Sequence, residues 1–307
     1  VAERLSLSAT NMFIDSFIGY LKVERGYSAH TLRAYKRDLL AFKEYVALLD
    51  ESLSFCEADA DVVRSWVASL MDAGAEVSTV CRKLSSLRSF FAYACANCGV
   101  LENPVVGLRG PKGGKRLPSF VKEEDMDRLI DGDSFGDGYE ACRDRVIIQL
   151  FYETGVRLSE LVGLDVCSVD MQACSIKVLG KRNRERVVPF AAGLRLALEA
   201  YLVEREKFAS SSSGALFLSS KGGRIGGGYI YRMVRRRLVG ITSVKKKSPH
   251  VLRHSFATAM LNNNAEIGAV KELLGHRQLA TTEIYTHLSF EDLKGFYEKA
   301  HPRAGKQ

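Results

Sequence analysis

The stretch from Ser248 to His287 holds His250 and Arg253 in SPHVLRHSFAT, then His276 and Tyr285 in LLGHRQLATTEIYTH. This set suits the attack of a phenol on a phosphodiester better than it suits a core. An unperturbed phenol titrates near ~10, so Tyr285 would need a proton acceptor or a positive field to attack. The transition state spreads negative charge over the phosphoryl oxygens, and two arginine forks match that charge better than lysines do. Arg253 is one clamp; it lies three residues after His250, on the same helical face. Arg157, in TGVRLSEL, is the best second clamp, with Glu160 three residues further on to hold it. The departing sugar oxygen needs a proton. Lys181, on the polar turn KRNRER, is the candidate donor. His250 is the candidate to exchange a proton with Tyr285, and His276 a candidate donor to the phosphate.

Each residue alone has a plainer reading: a helical tyrosine, a helix start at His250, an ion pair at Arg157 and Glu160, a solvated turn at Lys181, a helix stop at His276. His30, His254, His287 and His301 keep the plainer reading. The joint occurrence of the others, in one order, points to phosphodiester chemistry.

The elements that must position them follow from periodicity. From Asn11 to Asn97 the sequence reads as helices. Gly26 ends the first and Ser28 N-caps the next, which runs to Leu49 with Leu32, Tyr35, Leu39, Phe42 and Tyr45 on one stripe. Asp61 to Asp72 carries the only tryptophan, Trp66. Ser78 to Cys95 directs Val80, Leu84, Leu87, Phe91 and Tyr93 mostly to the core, with Arg82, Lys83 and Arg88 facing elsewhere. Residues 98–119, with three prolines and several glycines, read as a basic linker whose Arg109, Lys112, Lys115 and Arg116 could lie along phosphates.

A second domain starts near Phe120. Lys122 to Asp131 and Glu140 to Gly155 read as helices, and another begins at about Leu158. Strands from Cys174 to Leu179 and Glu185 to Phe190 form the one convincing hairpin, turning at Gly180 to Arg184. Leu194 to Phe208 is helical, a serine loop and a glycine-rich turn follow, and a helix carries Arg232, Arg235, Arg236 and Arg237. Helices at His250 to Asn262, Glu266 to Leu273, Thr281 to Tyr285 and Phe290 to His301 complete the chain, the last with a capping box at Ser289 and Asp292. The expected fold class is therefore mainly α: an all-α domain over 1–97, the linker over 98–119, and an α-rich α+β domain over 120–307 with a small antiparallel sheet.

The chain has 307 residues, 46% hydrophobic and 26% charged, which suits two globular domains. The net charge of +8 favours a polyanionic partner such as nucleic acid. Arg82, Lys83, Arg88, Lys112, Lys115, Arg116, Arg182, Arg184, Arg235, Lys245 and Lys246 are the candidate contacts. Seven scattered cysteines include one CxxC, Cys95 and Cys98, with no second ligand pair, so no metal site is expected and the thiols read as reduced and structural, as in the cytoplasm. No apolar run reaches the ~20 residues of a membrane span, and no signal peptide is visible.

Four local words then bring a family into view. TGVRLSEL, LGKRNRERVVP, SPHVLRHSFAT and LLGHRQLATTEIYTH resemble the motifs of the tyrosine recombinases of the lambda-integrase type, with active-site positions at Arg157, Lys181, His250, Arg253, His276 and Tyr285. YSAHTLRAYKRDLLAF is similar to that family's core-binding, SAM-like domain, and the closing YTHLSFEDLKGFYEKAHPRA is similar to the Xer recombinases that resolve chromosome dimers. At this length the resemblance leaves no room for the extra arm-binding domain of many phage integrases.

The resemblance implies that Tyr285 forms a 3′-phosphotyrosyl bond and releases a 5′-hydroxyl, and that the partner strand's 5′-hydroxyl then attacks that bond. Bond energy is kept in the ester, so no cofactor, ATP or metal is required, and the arginines stabilise charge in a metal's place. It also implies double-stranded DNA with specific sites as partner. On two such sites a homo- or hetero-tetramer works through a Holliday junction, with a paralogous recombinase and a DNA translocase of the FtsK type as further partners. The helix over about 290–300 is expected to dock on a neighbouring protomer through Leu293 and Phe296. Location in the cytoplasm, at the nucleoid, follows. The alternatives are a mobile-element integrase, a type IB topoisomerase, or a DNA-binding relative without catalysis. Two departures stand out: Ala259, where many relatives carry histidine, and Asn262, Asn263 and Asn264, where glycine is common. Asparagine tolerates the left-handed conformation, so no loss of activity is expected.

Overall fold

The structure, a computed structural model, describes residues 7–50, 53–114, 119–180, 184–208, 214–244, 246–275 and 289–305. The chain divides into two compact units, Val1–Arg116 and Leu117–Gln307.

The first unit is built from α1 (Leu7–Val23), α2 (Ala29–Leu49), α3 (Ala60–Asp72) and α4 (Val77–Asn97). The caps expected at Gly26 and Ser28 are present, and Asp59 adds one at the start of α3. Gly26 is left-handed at φ +60°, and Ser28 Oγ accepts from Thr31 N at 3.3 Å. Asp59 Oδ1 accepts from the amides of Asp61 and Val62 at 2.9 Å each, starting α3. The core is aromatic: Phe42 packs on Trp66 with centroids 4.9 Å apart, and Phe55 on Phe90 at 5.1 Å.

Asp38 is fully buried in this core. A buried carboxylate must be paired, and α4 supplies the partners. Arg82 is in hydrogen-bond contact with it, Lys83 Nζ stands 3.5 Å away, and Lys83 also lies over the Trp66 ring at 5.3 Å.

The 98–119 stretch, expected to be a linker, lies along α4 as far as Pro111. Val105 is fully buried, Arg88 Nη2 donates to Leu108 O at 2.9 Å, and Asn103 Nδ2 donates to Arg88 O at 3.2 Å. Proline and glycine prevent a helix here, but they do not prevent packing.

The second unit contains α5 (Glu123–Asp131), α6 (Tyr139–Thr154), α7 (Leu158–Gly163), β1 (Val169–Asp170), β2 (Ser175–Leu179), β3 (Glu185–Pro189), α8 (Ala192–Glu206), α9 (Gly227–Arg237), α10 (Pro249–Asn262), α11 (Ile267–Leu274) and α12 (Phe290–Ala300). The sheet has the order β1-β2-β3 and is antiparallel throughout, with Ile176 opposite Val188 and Val178 opposite Arg186. Two-residue β1 carries too little pattern to be seen in sequence. The helix α6 is central, packing against α8 and α10 and burying residues around its whole circumference.

Two expectations about helix ends are met. Asn264 is left-handed at φ +62° after α10. Ser289 Oγ accepts from Asp292 N at 3.1 Å, and Asp292 Oδ2 from Ser289 N at 3.0 Å.

The neighbour-docking expectation for α12 concerns an assembly; within the single chain the helix has partners of its own. The helix packs on α10, α11 and β3 of its own unit; Leu293 is buried in that core and Phe296 is partly buried against it. The expected helix over 281–285 lies outside the described residues. All seven cysteines are free. Among the described residues, no helix is long and apolar enough to cross a membrane.

Candidate active site

The site forms where α6, α7, β3, α10 and α11 converge. Gly155 makes the convergence possible. It ends α6 in the left-handed region at φ +59°, and a Cβ there would stand 2.5 Å from a Phe256 ring carbon and 2.8 Å from Leu274 Cδ2. Only glycine meets both demands.

Two residues later Arg157 caps α7. Its backbone amide donates to Glu160 Oε2 at 2.8 Å and its Nη1 to Glu160 Oε1 at 2.6 Å. From β3, Arg186 donates to both oxygens of the same carboxylate, each at 2.8 Å. Burial pushes the Glu160 carboxyl up, but the Arg186 fork, the Arg157 amide and the two positive charges outweigh it and hold the group at about 2. Glu160 is therefore a fixed anion that orients Arg157.

The second expected clamp, Arg253, arrives from α10. Arg253 is buried; it donates to Gly155 O, and its Nη2 donates to Leu274 O at 2.7 Å. Arg157 Nη2 reaches the adjacent carbonyl, Gly275 O, at 3.1 Å. The two expected clamps thus meet on neighbouring carbonyls at the end of α11. Burial, joined by the Arg157 charge, lowers Arg253 to about 10. Such crowding of cations around one carboxylate leaves the site short of negative charge, which a phosphate would supply.

His250 stands exposed in the first turn of α10, one turn before Arg253. Partial desolvation and the charges of Arg253, His254, Lys246 and Arg157 hold it below the usual imidazole range. Near neutral pH it is therefore in the form that can accept a proton.

Lys181, His276 and Tyr285 lie outside the described residues. The positions adjoining two of them are at the site. A Cβ on Gly180 would stand 3.7 Å from Glu160 Oε1 and 3.6 Å from Arg186 Nη1. Gly275 O is the acceptor for Arg157.

The candidate polyanion contacts fall into three groups. Lys112, Arg184, Arg235 and Lys246 are exposed. Arg82 and Lys83 are engaged with Asp38, and Arg88 with Leu108 O, so these three have structural partners that the helical pattern did not reveal. Lys115, Arg116, Arg182 and Lys245 lie outside the described residues.

Arg186 was not singled out in the sequence. A signal was present, because it shares a strand face with buried Val188, and a charge on an inward face calls for a partner.

Comparison with known proteins places this geometry in a family. Residues 119–292 match the phage integrase family, and residues 14–97 match the N-terminal SAM-like domain of phage integrases. The tyrosine recombinase XerC of Staphylococcus haemolyticus is 38% identical over 295 residues, covering 95% of this chain and 97% of that protein. The XerC of Azotobacter vinelandii is 39% identical over 296 residues, covering 96% and 97%. In fold the chain is similar to the XerH site-specific recombinase, solved in a post-cleavage complex with its palindromic difH substrate. The TM-score is 0.74, with 21% identity and 97% of each chain covered. The chain belongs to the phage integrase family and is a site-specific tyrosine recombinase.

Proposed function

We propose that this protein cuts and rejoins double-stranded DNA at specific sites through a 3′-phosphotyrosyl intermediate on Tyr285, and that it resolves chromosome dimers at cell division. The observation that carries the reading is the meeting of Arg157 and Arg253 on the carbonyls of Leu274 and Gly275, around a single buried carboxylate. In this reading the two guanidinium groups grip the non-bridging oxygens of the scissile phosphate. The Tyr285 oxygen bonds to phosphorus while the bond to the 5′ oxygen breaks. The phenolic proton passes to His250, the leaving oxygen takes a proton from Lys181, and His276 donates to the phosphate. The reverse attack by a partner 5′-hydroxyl restores the diester and frees the tyrosine. The ester conserves the bond energy, so neither ATP nor a metal ion enters the cycle.

The biological role rests on near full-length similarity to proteins named XerC. It brings with it a tetramer on two DNA sites, a paralogous recombinase, an activating translocase and a cytoplasmic, nucleoid location. The test is cleavage mapping on replication-terminus DNA, with and without a second recombinase, followed by a nicked suicide substrate at the mapped site. Wild-type protein is expected to form a covalent adduct, and Tyr285→Phe to bind the duplex without forming one. An adduct with the phenylalanine variant would remove Tyr285 as nucleophile.

A further inference from the structure

Three consecutive carbonyls at the end of α11 are each read by a different arginine. Arg186 Nε donates to Leu273 O at 3.0 Å, Arg253 Nη2 to Leu274 O at 2.7 Å, and Arg157 Nη2 to Gly275 O at 3.1 Å. The last carbonyls of a helix have no intrahelical partner, and cations near them are favourable. The next residue in the chain is His276, and Tyr285 follows nine positions later.

The three arginines are not equivalent. All three nitrogens of Arg186 are engaged within the protein, Nε on Leu273 O and the two Nη on Glu160, and its side chain is 13% exposed. Arg157 is 34% exposed and uses two donors of its guanidinium in these contacts, leaving others for a ligand. Arg253 likewise uses only its two Nη groups, on Gly155 O and Leu274 O. With every nitrogen already on a protein acceptor, Arg186 fits a positioning role better than that of a third phosphate clamp. It bonds the anchors of two chain segments: Glu160, which orients Arg157, and Leu273 O, three residues before His276; a Cβ on Gly180, the residue before Lys181, would stand 3.6 Å from its Nη1. A Cβ on Gly275 would stand 3.3 Å from Arg186 Nη1.

We propose that Arg186 is a positioning residue of the strand-transfer site: its guanidinium fixes, in one rigid fork, the arginine motif on α7 and the end of α11 from which the nucleophile-bearing segment departs. The inference rests on the reading of Arg157 and Arg253 as phosphate clamps. A rigid planar fork with a bidentate grip through its two Nη groups and a third in-plane donor on Nε is a geometry that lysine cannot copy. Misplacing reacting groups by about 1 Å can cost on the order of 100-fold in rate.

The test is single-turnover adduct formation on the nicked duplex, alongside duplex affinity by gel shift. Arg186→Met is expected to bind the duplex within about 3-fold of wild type and to form adduct roughly 100-fold more slowly. Arg186→Lys is expected to be folded and binding, with cleavage intermediate between the two. Because Arg186 acts partly through Arg157, combining Arg157→Ala with Arg186→Met should cost clearly less than the product of the two single losses.

Cleavage by Arg186→Met within about 3-fold of wild type would overturn the proposal, as would independent, multiplicative losses in the double variant. If Arg186→Met does not fold, wild-type cleavage by Arg186→Lys would overturn it. Loss of duplex binding by both variants would do so too, since Arg186 would then serve folding alone. Wild-type cleavage by Arg157→Ala would instead sink the reading of the site, a separate outcome from the failure of Arg186.

Discussion

Two glutamates seven residues apart carry opposite electrostatic assignments, and the difference is a matter of partners. Glu160 is held at about 2 by two arginines against the pull of burial. Glu153, almost wholly buried at the end of α6, is raised to about 7 by desolvation. It accepts from Gln149 Nε2 at 2.9 Å and from Ala191 N at 3.1 Å, and Arg303 Nε stands only within 3.5 Å. The signs follow by linkage. Glu160 contributes stability above its unfolded pKa of ~4.3, and loses it as pH falls toward about 2. Glu153 contributes stability below ~4.3 and loses it as pH rises through about 7. In chemical denaturation between pH 5 and 7, Glu153 should therefore impose a decline of stability with pH of up to ~1.4 kcal/mol per unit, partly offset below ~6.5 by His301, which burial keeps neutral while the unfolded imidazole takes up a proton. Glu153→Gln should flatten that decline; an unchanged slope would assign it to other groups.

At the scale of elements, the ends of α6 and α11 do the positioning, and glycine fixes both. Gly155 lets α6 stop against α10 and α11 while handing the chain to Arg157 two residues later. Gly155→Ala combines a left-handed backbone with two close contacts in the core. It should destabilise the second unit by ~2–4 kcal/mol, lowering Tm by roughly 5–15 °C. A melting temperature within two degrees or so of wild type would show that Phe256 and Leu274 can move aside. The hairpin contributes in the same way. Its alternation places Ile176, Val178 and Val188 inward, and Arg186 follows the same face to reach Glu160. A strand's two-residue period thus delivers a guanidinium to a site built mainly by helices.

Across the whole molecule, the ends of the two units decide how much chain each needs. The C-terminal segment belongs to its own core. Leu293, Tyr297 and Ala300 are buried, His301 is buried and held at about 3 by desolvation, and Arg303 is buried with Asp131 at 2.8 Å and Asp127 at 2.9 Å. Removing the residues after Leu288 should therefore cost the second unit several kcal/mol, mainly through the lost burial of Leu293 and Tyr297, since Asp127 and Asp131 are partly exposed and their broken ion pairs add little. Calorimetry should show Tm falling by ~10 °C or more. Unchanged melting with loss of tetramer formation would instead favour docking of α12 on a neighbour. The first unit has a similar dependence. A fragment ending at Gly114 should melt above one ending at Asn97, because Val105 and Leu108 cover α4. Equal midpoints would mean that this tail adds nothing.

The sequence by itself determined what local rules and periodicity encode. Gly26, Ser28 and Ser289 marked helix ends because caps depend on neighbours in the chain. The stripes of α2 and α4 marked core faces because burial follows the helical repeat. The words around Arg157, Lys181, His250, Arg253, His276 and Tyr285 marked a family. Tertiary structure alone decided which charges meet. Asp38 with Arg82 and Lys83, Glu153 with Arg303, and Glu160 with Arg186 are joined across 26 to 150 positions of chain. No local pattern links such residues. Each pair exists because a buried charge must find a partner once the helices have packed. That is also why a basic helix face could be read as open to a ligand when part of it is turned toward a buried aspartate.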